Sequence, residues 1–203
     1  MRLFVLLASL AVLIAPSSGS FGQGDLSLKP ASPSPPGRQA DAGRRATLDD
    51  LFSRLASAKD EAEAKGIANL IERRWSRSGS DTADLLLTRA SDAIQAKEFP
   101  LAIELLDRVI ALQPDWAEAW NRRATAFFLL EDTASAMADL RQVLTREPRH
   151  FGAWAGLGHI YSASGDKGRA LEAYRKALAI NPQMETLRDL VGRLAPEIDG
   201  RDI

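Results

Sequence analysis

From Thr47 onward, apolar residues recur at the three-and-four spacing of amphipathic helices, and short polar or glycine-bearing breaks divide the stretch into segments. Leu48, Leu51, Phe52 and Leu55 form a first stripe, opened by Thr47 with Asp50 three positions on, the pattern of a capping box. Asp60 with Glu63 repeats that start signal before a longer helix carrying Ile67, Leu70, Ile71 and Trp75, which Gly79 closes. Further along, Trp154, Leu157, Gly158 and Tyr161 share one helical face, and Gly165-Asp166 breaks that helix. Met184, Leu187, Leu190, Val191 and Leu194 make a final amphipathic helix.

The middle of the pattern is periodic. Trp120 and Trp154 stand 34 residues apart, and so do Pro114, Pro148 and Pro182. The same step aligns Ala90, Ala124 and Gly158; Ala102, Ala136 and Ala170; Ala93, Phe127 and Tyr161; and Leu106, Leu140 and Tyr174. It also aligns Val109, Val143 and Ala177, and Ile110, Leu144 and Leu178. A unit of this length is a helix-turn-helix that cannot bury its own apolar face and must stack on neighbours. The small columns let two helices approach closely while larger residues fill the space beside them. Each closing proline stops a helix and restricts the residue before it.

The run Trp154, Leu157, Gly158, Tyr161, Ala170, Tyr174, Ala177 and Pro182 resembles the tetratricopeptide repeat signature. The unit from Ala117 keeps Trp120, Ala124, Phe127, Ala136 and Pro148, whereas the unit from Ala83 has Leu86 in place of the tryptophan. The resemblance implies an all-α, right-handed helical-repeat solenoid with units at 83–116, 117–150 and 151–184 inside a block from 80 to 184. The helical pair over 47–79 is expected to cap the amino-terminal end of the stack, and a carboxyl-terminal capping helix over 185–198 to cover the last unit. Residues 199–203 are expected to be a loose tail. The chain is also similar to small exported bacterial members of this family.

One column departs from the family pattern: Arg89 and Arg123 stand where the last unit has Leu157. A buried cation is costly unless paired, so Arg123 is expected to meet Asp139 on the second helix of its unit. Arg89 has Leu105 in the corresponding place, which leaves it to lay its stem along the surface with its head in water.

Met1-Arg2, the apolar run Leu3 to Ala15 and the small residues up to Ser20 read as a secretory signal peptide over 1–20. The alternative is an uncleaved anchor, although the apolar run falls short of the ~20 residues a membrane span needs. Residues 21–46, rich in Pro, Gly and Ser, are expected to be a disordered tether, with a proline-rich docking strip around Ser32 to Pro36 as the sharper reading. Export, to the periplasm, with no membrane span after signal removal, is the expected destination. There is no cysteine for a lipid anchor or a disulfide.

Charge changes the picture mainly by exclusion. Lys and Arg number 26 against 27 Asp and Glu, so no basic footprint points to nucleic acid. No phosphate-cradling loop, hydrolase serine motif or nucleophilic cysteine is present. The two histidines, His150 and His159, match no metal-ligand spacing, and the acid pairs Asp49-Asp50 and Glu131-Asp132 suit helix starts and turns. No enzyme activity, cofactor or metal is expected.

The resemblance implies instead a concave groove lined by the first helices of the units. Carried over residue by residue, its candidates are Leu87, Ser91 and Ile94; then Glu118, Asn121, Arg122, Thr125 and Phe128; then His159 and Ser162. Family members that grip acidic chaperone tails place basic or amide residues where this chain has Leu87, Ser91, Gly152 and Gly156, with Arg122 alone basic. That clamp is absent. The expected function is a protein-protein interaction scaffold or adaptor of the cell envelope that takes a peptide segment or helix in the groove, unless the chain's own segments cover it. The alternatives are an accessory subunit of an envelope enzyme or export complex and, within the binding class, self-association through the terminal helix.

Overall fold

The closing prolines of the first two units lie in turns that the following unit's tryptophan ties down. The Trp120 indole N–H donates to the Pro114 carbonyl at 2.9 Å, and Trp154 does the same to Pro148 at 3.0 Å. The two most conspicuous periodic columns are thus one device, which fixes how each first helix leaves the turn before it.

The computed structural model describes residues 46–200, and among them every regular element is helical. The helices are α1 (Leu48–Ala56), α2 (Glu61–Trp75), α3 (Asp81–Gln95), α4 (Phe99–Leu112) and α5 (Ala117–Leu129), then α6 (Thr133–Arg146), α7 (Phe151–Ala163), α8 (Lys167–Ile180) and α9 (Glu185–Asp199). The expected signal segment, almost all of the tether and the last three residues lie outside the described residues. No helix among the described residues is long and apolar enough to cross a membrane.

Helices α3 and α4, α5 and α6, and α7 and α8 are the three helix-turn-helix units. The alanine column Ala102, Ala136 and Ala170 is fully buried, as close helix approach requires. In the third unit the approach is closer still: a Cβ at Gly158 would overlap the Tyr174 ring. The expected capping box is present, with Thr47 and Asp50 each accepting the other's backbone N–H. Asp60 caps α2 through the Glu63 N–H at 2.8 Å.

Arg123 behaves as its column demands, forking onto both Asp139 oxygens at 2.8 Å and reaching Asp107 on α4. Its raised pKa follows from those partners, Asp139 first. Arg89 is exposed.

The helical pair α1–α2 lies elsewhere than expected. It does not cap the first unit. Its apolar face, Leu51, Phe52, Leu55, Ile67, Ile71 and Trp75, packs on Phe151, Ile180 and Met184. Those residues flank the turns before and after the third unit, so the pair braces one edge of the stack. The Trp75 ring stacks on His150 at 4.2 Å, its carbonyl accepts the Trp116 indole N–H at 2.6 Å, and Gln183 donates to the Ala58 carbonyl at 3.0 Å. Trp116, His150 and Met184 are themselves one repeat apart. The edge therefore presents a periodic row, and the pair covers it.

At the other end α9 lies on α8, with Leu187 buried and Leu190, Val191 and Leu194 packed beside Tyr174 and Ala177. Because that stripe is occupied within the chain, it offers no apolar face for self-association. Asp199, placed by the sequence in the tail, instead closes α9 and pairs with Arg175 at 2.5 Å.

Candidate functional site

Between α5 and α7, the first helices of the second and third units, lies a recess of about 180 Å³. Asn121, Thr125, Phe128 and His159 line it together with Ala124, Leu140, Gly152, Gly156 and Ile160. Four of the ten candidate groove residues therefore converge on it. Phe128 is 44% exposed, while its neighbour Phe127 turns toward the packed stripe. Adjacent helical residues point about 100° apart, so both rings could not share the core. The brace helices leave this face open. Gly156 shapes the floor, since a Cβ there would press on Leu140 Cδ1 at 3.2 Å.

Asn121 is held from behind. Glu118 is 4% exposed and accepts from Arg122 Nε at 2.6 Å and from Asn121 Nδ2 at 3.1 Å. An ionised carboxylate only accepts, so the Asn121 amino end must face it and the amide oxygen is the end turned away. Desolvation would raise the Glu118 pKa, but His150, Arg122 and Asn121 outweigh it and hold the carboxyl below its ordinary range. His150 is as buried as Glu118; its Nδ1 accepts the Ala153 N–H at 3.0 Å and so caps α7. Its Nε2 faces Glu118 at 3.5 Å, a long contact rather than a well-formed hydrogen bond.

His159, on the opposite wall, is also held from behind. Its Nδ1 lies 3.0 Å from the Tyr174 hydroxyl, which reaches past Gly158 from α8. Burial pushes the imidazole below its ordinary pKa and the Tyr174 phenol above its own, so both are neutral near pH 7. Ser162 is exposed, with its hydroxyl on the same phenol. Thr125 is exposed and donates to the Asn121 carbonyl at 3.0 Å.

The remaining candidates fall elsewhere. Leu87 is a core residue at 5% exposure, packed with Ala90, Leu106 and Trp116, so it does not line a groove. Glu118 likewise belongs to the interior, as the group that orients Asn121. Arg122 is committed to Glu118. Ser91 donates to the Leu87 carbonyl at 2.9 Å, and Ile94 packs between the Leu87 and Ala93 clusters. Sequence reasoning missed Ile160 and Leu140 in the recess; both follow the packed periodicity and carry no polar signal.

A volume of about 180 Å³ lies below the ~300 Å³ where small-molecule and cofactor sites begin. The recess suits one apolar side chain of a partner, with an amide acceptor and an imidazole at its rim.

Helical pairs stacked around an inner face define an interaction module of the helical-repeat class. The chain belongs to the tetratricopeptide-repeat family. Models of that repeat match residues 87–141 and 152–184. A TPR repeat-containing protein of Rhizobium etli is 42% identical over 163 residues, 80% of each chain. Small glutamine-rich tetratricopeptide repeat-containing protein 2 of Mycosarcoma maydis is 32% identical over 106 residues, 52% of this chain and 30% of that one. Among solved structures, the first TPR of Spaghetti (RPAP3) bound to an HSP90 peptide aligns with a TM-score of 0.55 at 18% identity, over 59% of this chain and 95% of that one. MamA aligns at 0.54 and 22% identity, over 73% and 84%.

Proposed function

We propose that this chain is a non-enzymatic adaptor that holds a protein segment in the groove between α5 and α7. The observation that carries this reading is Phe128, exposed at the mouth of an apolar recess whose amide and imidazole are both fixed from behind. A partner would seat an apolar side chain beside Phe128 and offer a backbone N–H to the side-chain amide oxygen of Asn121. The solved relative holding an HSP90 peptide supports peptide binding as the mode. An acidic tail is a poor fit. The positions that would grip it here hold buried Leu87, internally bonded Ser91 and two glycines, and Arg122 is neutralised by Glu118.

The test compares capture by the full chain with capture by Phe128→Ala and Asn121→Ala. Both variants should lose a stoichiometric partner that the parent retains, with helical signal and melting nearly unchanged. A partner retained by both variants would move the binding face away from this groove. Work in the cell envelope rests on the Met1–Ser20 pattern, outside the described residues. Fusing residues 1–46 to a reporter should carry it across the inner membrane with loss of about 20 residues; full-length reporter held in the cytoplasm would refute export.

A further inference from the structure

The brace leaves one face of the stack without the cover its repeats call for. Stepping by 34 residues, Leu85 corresponds to Ala119 and Ala153, Arg89 to Arg123 and Leu157, and Asp92 to Ala126 and Ile160. In the second and third units these positions are sealed against the preceding unit: Ala119 packs on Val109 and Ile110, Ala126 on Ala102, and Arg123 reaches Asp107. Among the described residues no helix seals these positions of the first unit, because α1 and α2 run along the edge instead. Leu85 is consequently 53% exposed and Leu101 on α4 44% exposed, with Arg89 and Asp92 in water beside them. Arg89, Asp92, Ala96, Glu98, Leu101 and Leu105 are among the residues that border a surface recess of about 410 Å³.

The charges on this face select its occupant. A purely apolar helix would bury Arg89 and Asp92 without counter-charges, a penalty of the kind that keeps buried ions paired. A helix carrying only an acid, as α4 presents Asp107 to Arg123, would leave Asp92 opposed by its own sign. Apart from Glu98 in the turn before α4, the face carries one charge of each sign on a single stripe of α3, with Leu85 before them and Ala96 after. We propose that this face docks a second copy of the chain, α3 against α3 about a two-fold axis passing between Ala90 and Ser91. In an antiparallel pair so centred, Arg89 of each copy meets Asp92 of the other, and Leu85 meets Ala96. Such self-complementarity is what an isologous interface requires. Head-to-tail stacking lacks a matching surface, since α9 turns its apolar stripe onto α8 and exposes Arg188, Asp189 and Arg193.

Sedimentation velocity of the full chain across a concentration series tests this. The parent should dimerise reversibly. Arg89→Asp and Asp92→Arg, each placing like charges across the axis, should raise the dissociation constant by about tenfold or more. The double reversal R89D/D92R recreates both pairs and should restore the parent value. Far-UV circular dichroism checks that each variant is folded, and Leu101→Glu, off the α3 stripe, should weaken the dimer independently. A parent chain that stays monomeric at every concentration overturns the proposal and leaves the face to a foreign helix. A dimer indifferent to all these changes, or a double reversal as weak as either single one, overturns it too.

Discussion

At the scale of single residues, one exchanged pair in the third unit couples packing to the groove. Ala90 with Leu106 and Ala124 with Leu140 become Gly158 with Tyr174, and the ring lies where a Cβ at 158 would be. The larger ring also brings a hydroxyl to His159, so a packing substitution is what orients a groove residue. Gly158→Ala should therefore overpack the interface and cost about 1–3 kcal/mol in denaturant unfolding. Gly158→Ala with Tyr174→Leu recreates the pair of the other units and should recover most of that loss. A double variant no more stable than Gly158→Ala alone would show that the two positions are not coupled. The column itself was legible in the sequence as a run of small residues. The tyrosine's reach was not, because periodicity reports which face a side chain occupies and says nothing of where its far end arrives. The turn column hides a similar feature: Lys97 and Glu131 adopt positive φ, as Gly165 does one repeat later, and glycine appears only in the third unit.

At the scale of elements, the helices and their caps could be read from local signals, since Thr47 with Asp50 and Asp60 with Glu63 act within one turn. The seat of α1 and α2 could not. Their stripe announces burial without an address, and the surfaces that bury it, Phe151 and the pair Ile180 and Met184, are remote in sequence and belong to two separate stretches of chain. Leu87 was misplaced for a related reason: Trp116 from the following turn closes over it, and no local pattern reveals that contact. The brace also explains the buried Glu118. With its pKa held below the ordinary carboxylate value, Glu118 adds stability that is present above that value and lost as pH falls through the depressed one. His159, lowered by burial, acts in the same direction, destabilising the fold once pH falls below its ordinary value. Glu72, raised by desolvation and by the Glu118 charge, acts in the opposite sense. Glu118→Gln should cost about 1–3 kcal/mol at neutral pH, and the penalty should shrink only as pH falls below the ordinary carboxylate value and through the depressed one. Chemical denaturation at a series of pH values measures it, and a penalty independent of pH would deny the carboxylate its role.

At the scale of the whole molecule, a stack of repeats has stability that is nearly a sum of unit and neighbour terms, so its ends should open first unless something ties them down. The two ends here are unequal. The third unit is covered by α9 on one side and meets the brace through Phe151 and Ile180 on another. The first unit has an open outer face, and the Trp116 hydrogen bond to the Trp75 carbonyl ties it to the brace. Hydrogen exchange on the monomer should therefore show a gradient, with amides of α3 and α4 opening soonest and those of α7 and α8 last. Trp75→Ala removes the ring that seats on His150 and should cost about 3–5 kcal/mol. The same change should steepen the loss of protection in α7, whose amino-terminal cap His150 would lose its cover. Uniform protection across all three units would mean that the stack opens as one body, with the brace binding every unit equally. If protection of α3 rises with protein concentration while that of α7 does not, the first unit is gaining the cover that its sequence position denies it.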